Sequence, residues 1–234
     1  DFFGAKGIFL FLSLTSILLL ILIITDLKET HFLRSKDIFS QIKSYPTLLV
    51  SLDFWLPTVT FALSFSIFGI FFIGGPYVAV KVFNLSSTIM GIYLAFPSLG
   101  YVLGNVLISK IANKVSTKML MITGSFILLL GPCSSLILSN FFFHPLSFFL
   151  PILIMTFGSG IIWPASNAEI VKAIPHLAGS ASGLGSAIMT LVSSFAAFLT
   201  GFYIENLNPI NFVCYFLILV GVLSFCSSLL TRSR

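Results

Sequence analysis

The chain has 234 residues, a net charge of +5, 57% hydrophobic residues and only 8% charged ones, with a mean hydropathy of +1.10. So few charges cannot clothe a single core in water, which excludes a soluble enzyme or binding domain. The basic residues lie scattered at the ends of apolar runs and form no basic stripe with interleaved aromatics, so no nucleic-acid partner is expected. What remains is an all-α integral membrane protein whose first partner is membrane lipid.

Runs of about 20 apolar residues, enough for a helix to cross the hydrocarbon core, recur along the chain. Seven spans are expected, at 7–25, 56–78, 89–109, 119–138, 146–165, 179–203 and 209–230. The first lacks the basic n-region and small-residue cleavage site of a signal peptide and reads as a true span. The chain enters it almost at once without an initiator Met, as a piece of a longer protein would.

Between the first two spans, residues 26–55 carry Phe32, Ile38, Phe39, Ile42 and Tyr45 among Arg34, Lys36, Asp37 and Lys43. That spacing predicts an amphipathic helix lying on the membrane surface within a linker. Placing this linker in the cytoplasm also places Lys110, Lys114, Lys118, Lys172, Arg232 and Arg234 there, ten of the twelve basic residues in all. Short cytoplasmic loops retain Lys and Arg, so the N-terminus is expected outside and the C-terminus inside.

Spans two to four and five to seven echo each other. Phe68 and Gly69 precede Phe157 and Gly158 by 89 residues, while Pro76 and Gly91 precede Pro164 and Gly179 by 88. Three spans reverse direction, so residues 56–234 read either as an inverted three-plus-three repeat or as a chance match in a Phe-rich chain. The stretch Phe157 to Gly185, rich in Gly, Ser, Ala and Pro, reads as a hinge between two helices, broken at Gly158, Gly160 and Pro164. Gly100/Gly104 and Gly179/Gly183 fit the G-x-x-x-G spacing of close helix contacts.

Enzyme signatures are missing: no G-x-S-x-G elbow, no H-E-x-x-H, no phosphate-binding loop. Cys133, Cys214 and Cys226, with His31, His144 and His176, show no ligand spacing, so neither a metal nor a cofactor is expected. All seven acids map to loops or span ends, none to a membrane centre, where an ionisable group marks an ion path. Phe61, Phe65, Phe68 and Phe72 repeat on one face of the second span, and Phe157, Trp163 and Asn167 on the fifth add rings and an amide. Such a surface suits a small amphiphilic substrate, although rings of this kind also pack simply against lipid and neighbouring helices.

The runs Gly160 to Asn167 and Pro175-His176-Leu177-Ala178-Gly179-Ser180-Ala181-Ser182-Gly183, with Glu29-Thr30 and Gly104 leading into Lys110–Lys118, resemble the major facilitator superfamily. The nearest branch is the twelve-helix drug/proton antiporters. The resemblance implies the sixth helix, central loop and C-terminal six-helix half of an inner-membrane exporter, with a missing N-terminal half and protons as coupling ion. It implies substrate contacts from Phe65, Phe68, Phe72, Phe157, Trp163 and Asn167. It places Gly100, Gly104, Gly179 and Gly183 at moving helix contacts and Lys110 and Lys114 at a cytoplasmic gate. The loop departs from the family's acidic, arginine-rich signature, carrying Lys110, Asn113 and Lys114. A scaffold derived from a transporter, or an uptake carrier of the same superfamily, stand as alternatives.

Overall fold

The computed structural model describes residues 4–26 and 45–231, and every regular element among them is helical. The helices are α1 (Gly4–Asp26), α2 (Tyr45–Val50), α3 (Leu52–Tyr77), α4 (Ser87–Ile111), α5 (Thr117–Phe141), α6 (Pro145–Ala173), α7 (Ala178–Tyr203) and α8 (Pro209–Leu230). All but α2 are long and apolar enough to cross a membrane, which makes seven candidate spans. α1 belongs to one compact unit and everything from Ile42 onward to another. The aliphatic side chains of α1 are exposed throughout, as expected of a helix whose solvent is lipid.

Helix starts are set by local chemistry. Ser116 Oγ accepts from the Met119 amide at 3.3 Å, and Asn208 Oδ1 accepts from the Asn211 amide at 3.2 Å. Each satisfies an amide that the helix cannot pair internally. Pro145 and Pro209 occupy first-turn positions, where their missing N–H costs nothing. In α3, Pro76 removes a donor and the ladder slips into a π turn at Val78–Val82. The chain then leaves through Asn84 in the left-handed region, φ 50°.

Six helices, α3 to α8, form the second unit, with α3 and α6 at its centre. α6 is flanked by α4 and α5, and α3 by α7 and α8, while α5 also meets α8 and α3 meets α6. Ile67, Ile70, Phe71, Leu128, Phe149, Ile152, Met155, Val213 and Leu217 make the main buried cluster. Since lipid is as apolar as these side chains, the helices are held by close packing and by hydrogen bonds between them. Ser227 Oγ donates to the Leu56 carbonyl at 2.9 Å and Ser135 Oγ to the Phe148 carbonyl at 3.0 Å.

Two boundary expectations change. The amphipathic helix expected over Phe32, Ile38, Phe39, Ile42 and Tyr45 lies outside the described residues except for Tyr45, which begins α2. The short α2 precedes the second span, which opens at Leu52 and not Leu56. Trp55 belongs to α3 and its indole Nε1 donates to the Leu49 carbonyl at 2.7 Å. The break expected at Gly158, Gly160 and Pro164 is not there: α6 runs unbroken from Pro145 to Ala173. A Cβ on Gly158 would lie 2.5 Å from the Gly124 carbonyl of α5, and one on Gly160 would lie 2.4 Å from the Tyr101 carbonyl of α4. These glycines are contact points for two neighbours that splint the helix through Pro164. α6 ends at Ala173, eight residues past the expected end, and the turn follows at the 3₁₀ segment Pro175–Leu177.

Candidate functional site

A recess of about 300 Å³ opens between α3, α4, α6 and α7, lined by Phe61, Tyr101, Trp163, Pro164, Asn167, Ser182 and Ser186. Its floor is Trp163. Around that indole stand Phe65 at 4.7 Å, Tyr101 at 4.8 Å, Phe68 at 5.1 Å and Phe61 at 6.4 Å between ring centroids. Tilted and edge-on geometries within this range are the favourable ones for aromatic pairs.

Backbone proximity builds the cluster. Gly100, Gly104 and Gly160 let α4 and α6 cross so closely that a Cβ on Gly104 would meet the Phe157 carbonyl at 2.2 Å and the Gly160 Cα at 3.0 Å. Tyr101, one residue past Gly100, is turned by that crossing onto Trp163. Asn105 Nδ2 donates to the Tyr101 carbonyl at 3.0 Å and braces the same turn. From the other side Ser182 Oγ of α7 donates to Asn167 Oδ1 at 3.4 Å.

No charged side chain lines the recess. Its polar side chains are the Asn167 amide and the hydroxyl-bearing Tyr101, Ser182 and Ser186. Behind the recess the buried Trp163 Nε1 lacks any hydrogen-bond partner among the described residues, as does Ser166 Oγ elsewhere on α6. An unmet buried donor costs about 1–3 kcal/mol, and native proteins concentrate such groups where a ligand or water completes them.

The expected site residues divide. Phe65, Phe68, Trp163 and Asn167 meet at or directly behind the recess. Phe72 is 57% exposed and touches the cluster only through Phe68, at 5.8 Å. Phe157 points away from Trp163 and packs with Ile108, Leu120, Met121 and Ile161, because six helical residues turn it onto the α4/α5 side. A Cβ on Gly179 or Gly183 would meet nothing within 4 Å, so the close contact expected of them is not made within this unit. Lys110 and Lys114 are exposed.

The sequence reading missed Tyr101, Ser182 and Ser186; it placed Glu169 at a span end, where it lies four residues before the end of α6, but did not foresee its burial. Glu169 is buried inside α6, accepts a hydrogen bond from Thr117 Oγ1 at the start of α5 and pairs with Lys172 at 3.2 Å. It faces a small pocket with Asp53 of α3 and Thr231 beyond α8, a polar cluster that gathers four helix ends at one end of the bundle. The i, i+4 pair Ser182/Ser186 was a readable signal. Tyr101 had none beyond its place beside Gly100.

Seven candidate spans among the described residues, six of them in the unit that carries the uncharged aromatic recess, define a multi-pass membrane protein. Residues 1–197 match the family model of the Major Facilitator Superfamily. The chain belongs to that superfamily and is a membrane transporter of its kind. No curated protein matches it.

Proposed function

We propose that the chain is the C-terminal part of a secondary active exporter for small amphiphilic, ring-bearing solutes, driven by protons and working by alternating access. The observation that carries this is the recess at Trp163: an indole packed against Phe61, Phe65, Phe68 and Tyr101, with an amide and hydroxyls in the lining and no charged residue. Phe61, Phe65, Phe68, Tyr101 and Trp163 hold the apolar body of the solute, and Asn167, Ser182 and Ser186 orient its polar groups.

α4 and α7 expose most of their length, and Gly179 and Gly183 face open space on α7. A second six-helix half packed there completes the cavity and uses these glycines as its sliding contact. The matching neighbour patterns, α4 on α6 as α7 on α3, and α5 on α6 as α8 on α3, support an inverted repeat of α3–α5 and α6–α8. The distribution of Lys and Arg supports a cytoplasmic C-terminus and a bacterial inner membrane by resemblance. The recess itself supplies no acid, so the coupling carboxylate belongs to the other half.

The test is efflux of fluorescent amphiphiles from cells stripped of other pumps. The complete reading frame is expected to expel them, a protonophore to abolish this, and residues 1–234 alone to fail. Efflux from the 234-residue chain alone refutes the half-transporter reading. Efflux that survives the protonophore refutes proton coupling.

A further inference from the structure

The bundle carries two similar grooves at opposite ends. One, of about 320 Å³, runs between α4 and α5 over α6, with Ile108, Ala112, Leu120, Pro164, Ala165 and Ala168 in its walls and floor. The other, of about 280 Å³, runs between α7 and α8 and is lined by Leu199, Tyr203, Phe212, Tyr215, Phe216 and Leu219. Both have the volume and the mainly apolar lining for part of a lipid acyl chain, with Asn105, Ser109 and Thr117 the polar residues of the first. Their mouths differ in charge. The α4–α5 groove is bracketed by Lys110, Lys114 and Lys118, each within two residues of a lining residue. The connection at the α7–α8 groove holds Glu205, and no Lys or Arg occurs between Lys172 and Arg232.

The acid nearest the three lysines in the described structure is Glu169, which accepts from Thr117 beside Lys118 and is paired with Lys172. No Asp or Glu lies between Asp53 and Glu169 in the sequence. The ion pair at this end of the bundle joins Glu169 to Lys172 and leaves Lys110, Lys114 and Lys118 outside it. Lys110 and Lys114 are exposed beside this apolar slot, at the α4–α5 end of the bundle. We propose that the α4–α5 groove is a site for one anionic phospholipid, with an acyl chain lying over Pro164, Ala165 and Ala168 and its phosphate held by Lys110 and Lys114. Charge complementarity selects the anionic headgroup, and the small residues of α6 leave the chain its space. The lipid ties the α4–α5 turn to the leaflet at the basic end. The α7–α8 groove takes lipid of any headgroup.

Each lysine near an anionic headgroup contributes roughly a fivefold gain in affinity, the equivalent of about 1 kcal/mol. Native mass spectrometry of the purified full chain, titrated with phosphatidylglycerol or phosphatidylcholine of identical acyl chains, reads this directly. The wild type is expected to retain one phosphatidylglycerol about 25-fold more tightly than phosphatidylcholine. Lys110→Gln with Lys114→Gln is expected to remove that preference, while Lys6→Gln with Lys81→Gln leaves it intact. Placement is read separately, by introducing Ala112→Trp at the groove wall and measuring quenching by lipids brominated on the acyl chain. Brominated phosphatidylglycerol should quench the new indole several-fold more than brominated phosphatidylcholine. Equal affinities for the two lipids overturn the proposal, as does a double variant that binds like wild type. Competition by glycerol phosphate as strong as by the lipid overturns the acyl-chain half of it.

Discussion

Replacing Gly104 by alanine tests the crossing that builds the recess. The added Cβ would lie 2.2 Å from the Phe157 carbonyl, where ordinary contact begins at 3.4 Å, so α4 and α6 must part by 1.2 Å (3.4 − 2.2) at that point. Both obstacles are backbone, the Phe157 carbonyl and the Gly160 Cα at 3.0 Å, and no rotamer change relieves them. Overpacking of this kind costs about 1–3 kcal/mol. Alanine returns up to about 1 kcal/mol through its better helix propensity. The net expectation is a loss of about 1–2 kcal/mol. At about 2–4 °C per kcal/mol for a chain of this size, thermal unfolding in mild detergent should begin about 2–8 °C lower. Gly183→Ala is the control, since its Cβ meets nothing within 4 Å and only the propensity gain applies. Trp163 emission should shift in Gly104→Ala, because moving α4 carries Tyr101 away from the indole. A Gly104→Ala protein as stable as Gly183→Ala, with unchanged emission, would refute the close crossing as the origin of the site.

Trp163→Ala should lower affinity for ring-bearing solutes about 10-fold or more while Trp163→Phe keeps most of it, since each aromatic pair adds about 0.5–1.5 kcal/mol beyond area burial; solute binding by equilibrium dialysis reads this. Gly183→Leu should leave the melting temperature of the chain within about 1 °C of wild type yet stop efflux by the complete transporter. In a double-mutant cycle, Glu169→Gln and Thr117→Val should show a coupling of about 0.5–3 kcal/mol in thermal stability, because the Glu169 carboxylate joins α6 to the first turn of α5. Asn84→Gly should be neutral or stabilising and Asn84→Val destabilising by about 1–2 kcal/mol, as a β-branched residue cannot adopt φ 50° without strain.

Sequence reading located the spans well where hydropathy alone decides. α7 and α8 begin within one residue of expectation, since a single polar turn with Pro bounds each. It went wrong where contact overrides propensity. Gly158, Gly160 and Pro164 are helix breakers by local rules, and they sit in an unbroken helix because two neighbours press on those glycines. Phe157 and Trp163 are close in sequence and face different neighbours. Glu169 reads as a span-end residue, and only the packing of α5 against the last turns of α6 buries its carboxylate. Tyr101 joins the site only through a helix crossing that nothing along the chain announces.

Composition and the placing of apolar runs therefore determined by themselves that this is a helical membrane protein, with seven candidate spans among the described residues, because the cost of placing charge or unpaired backbone in lipid is set residue by residue. Motif resemblance carried it to the superfamily. Which rings meet, which glycines touch a partner helix and which acid is buried were decided by tertiary structure alone. Those outcomes depend on distances between helices, and in lipid these are set by the shapes of both faces and not by the apolarity of either.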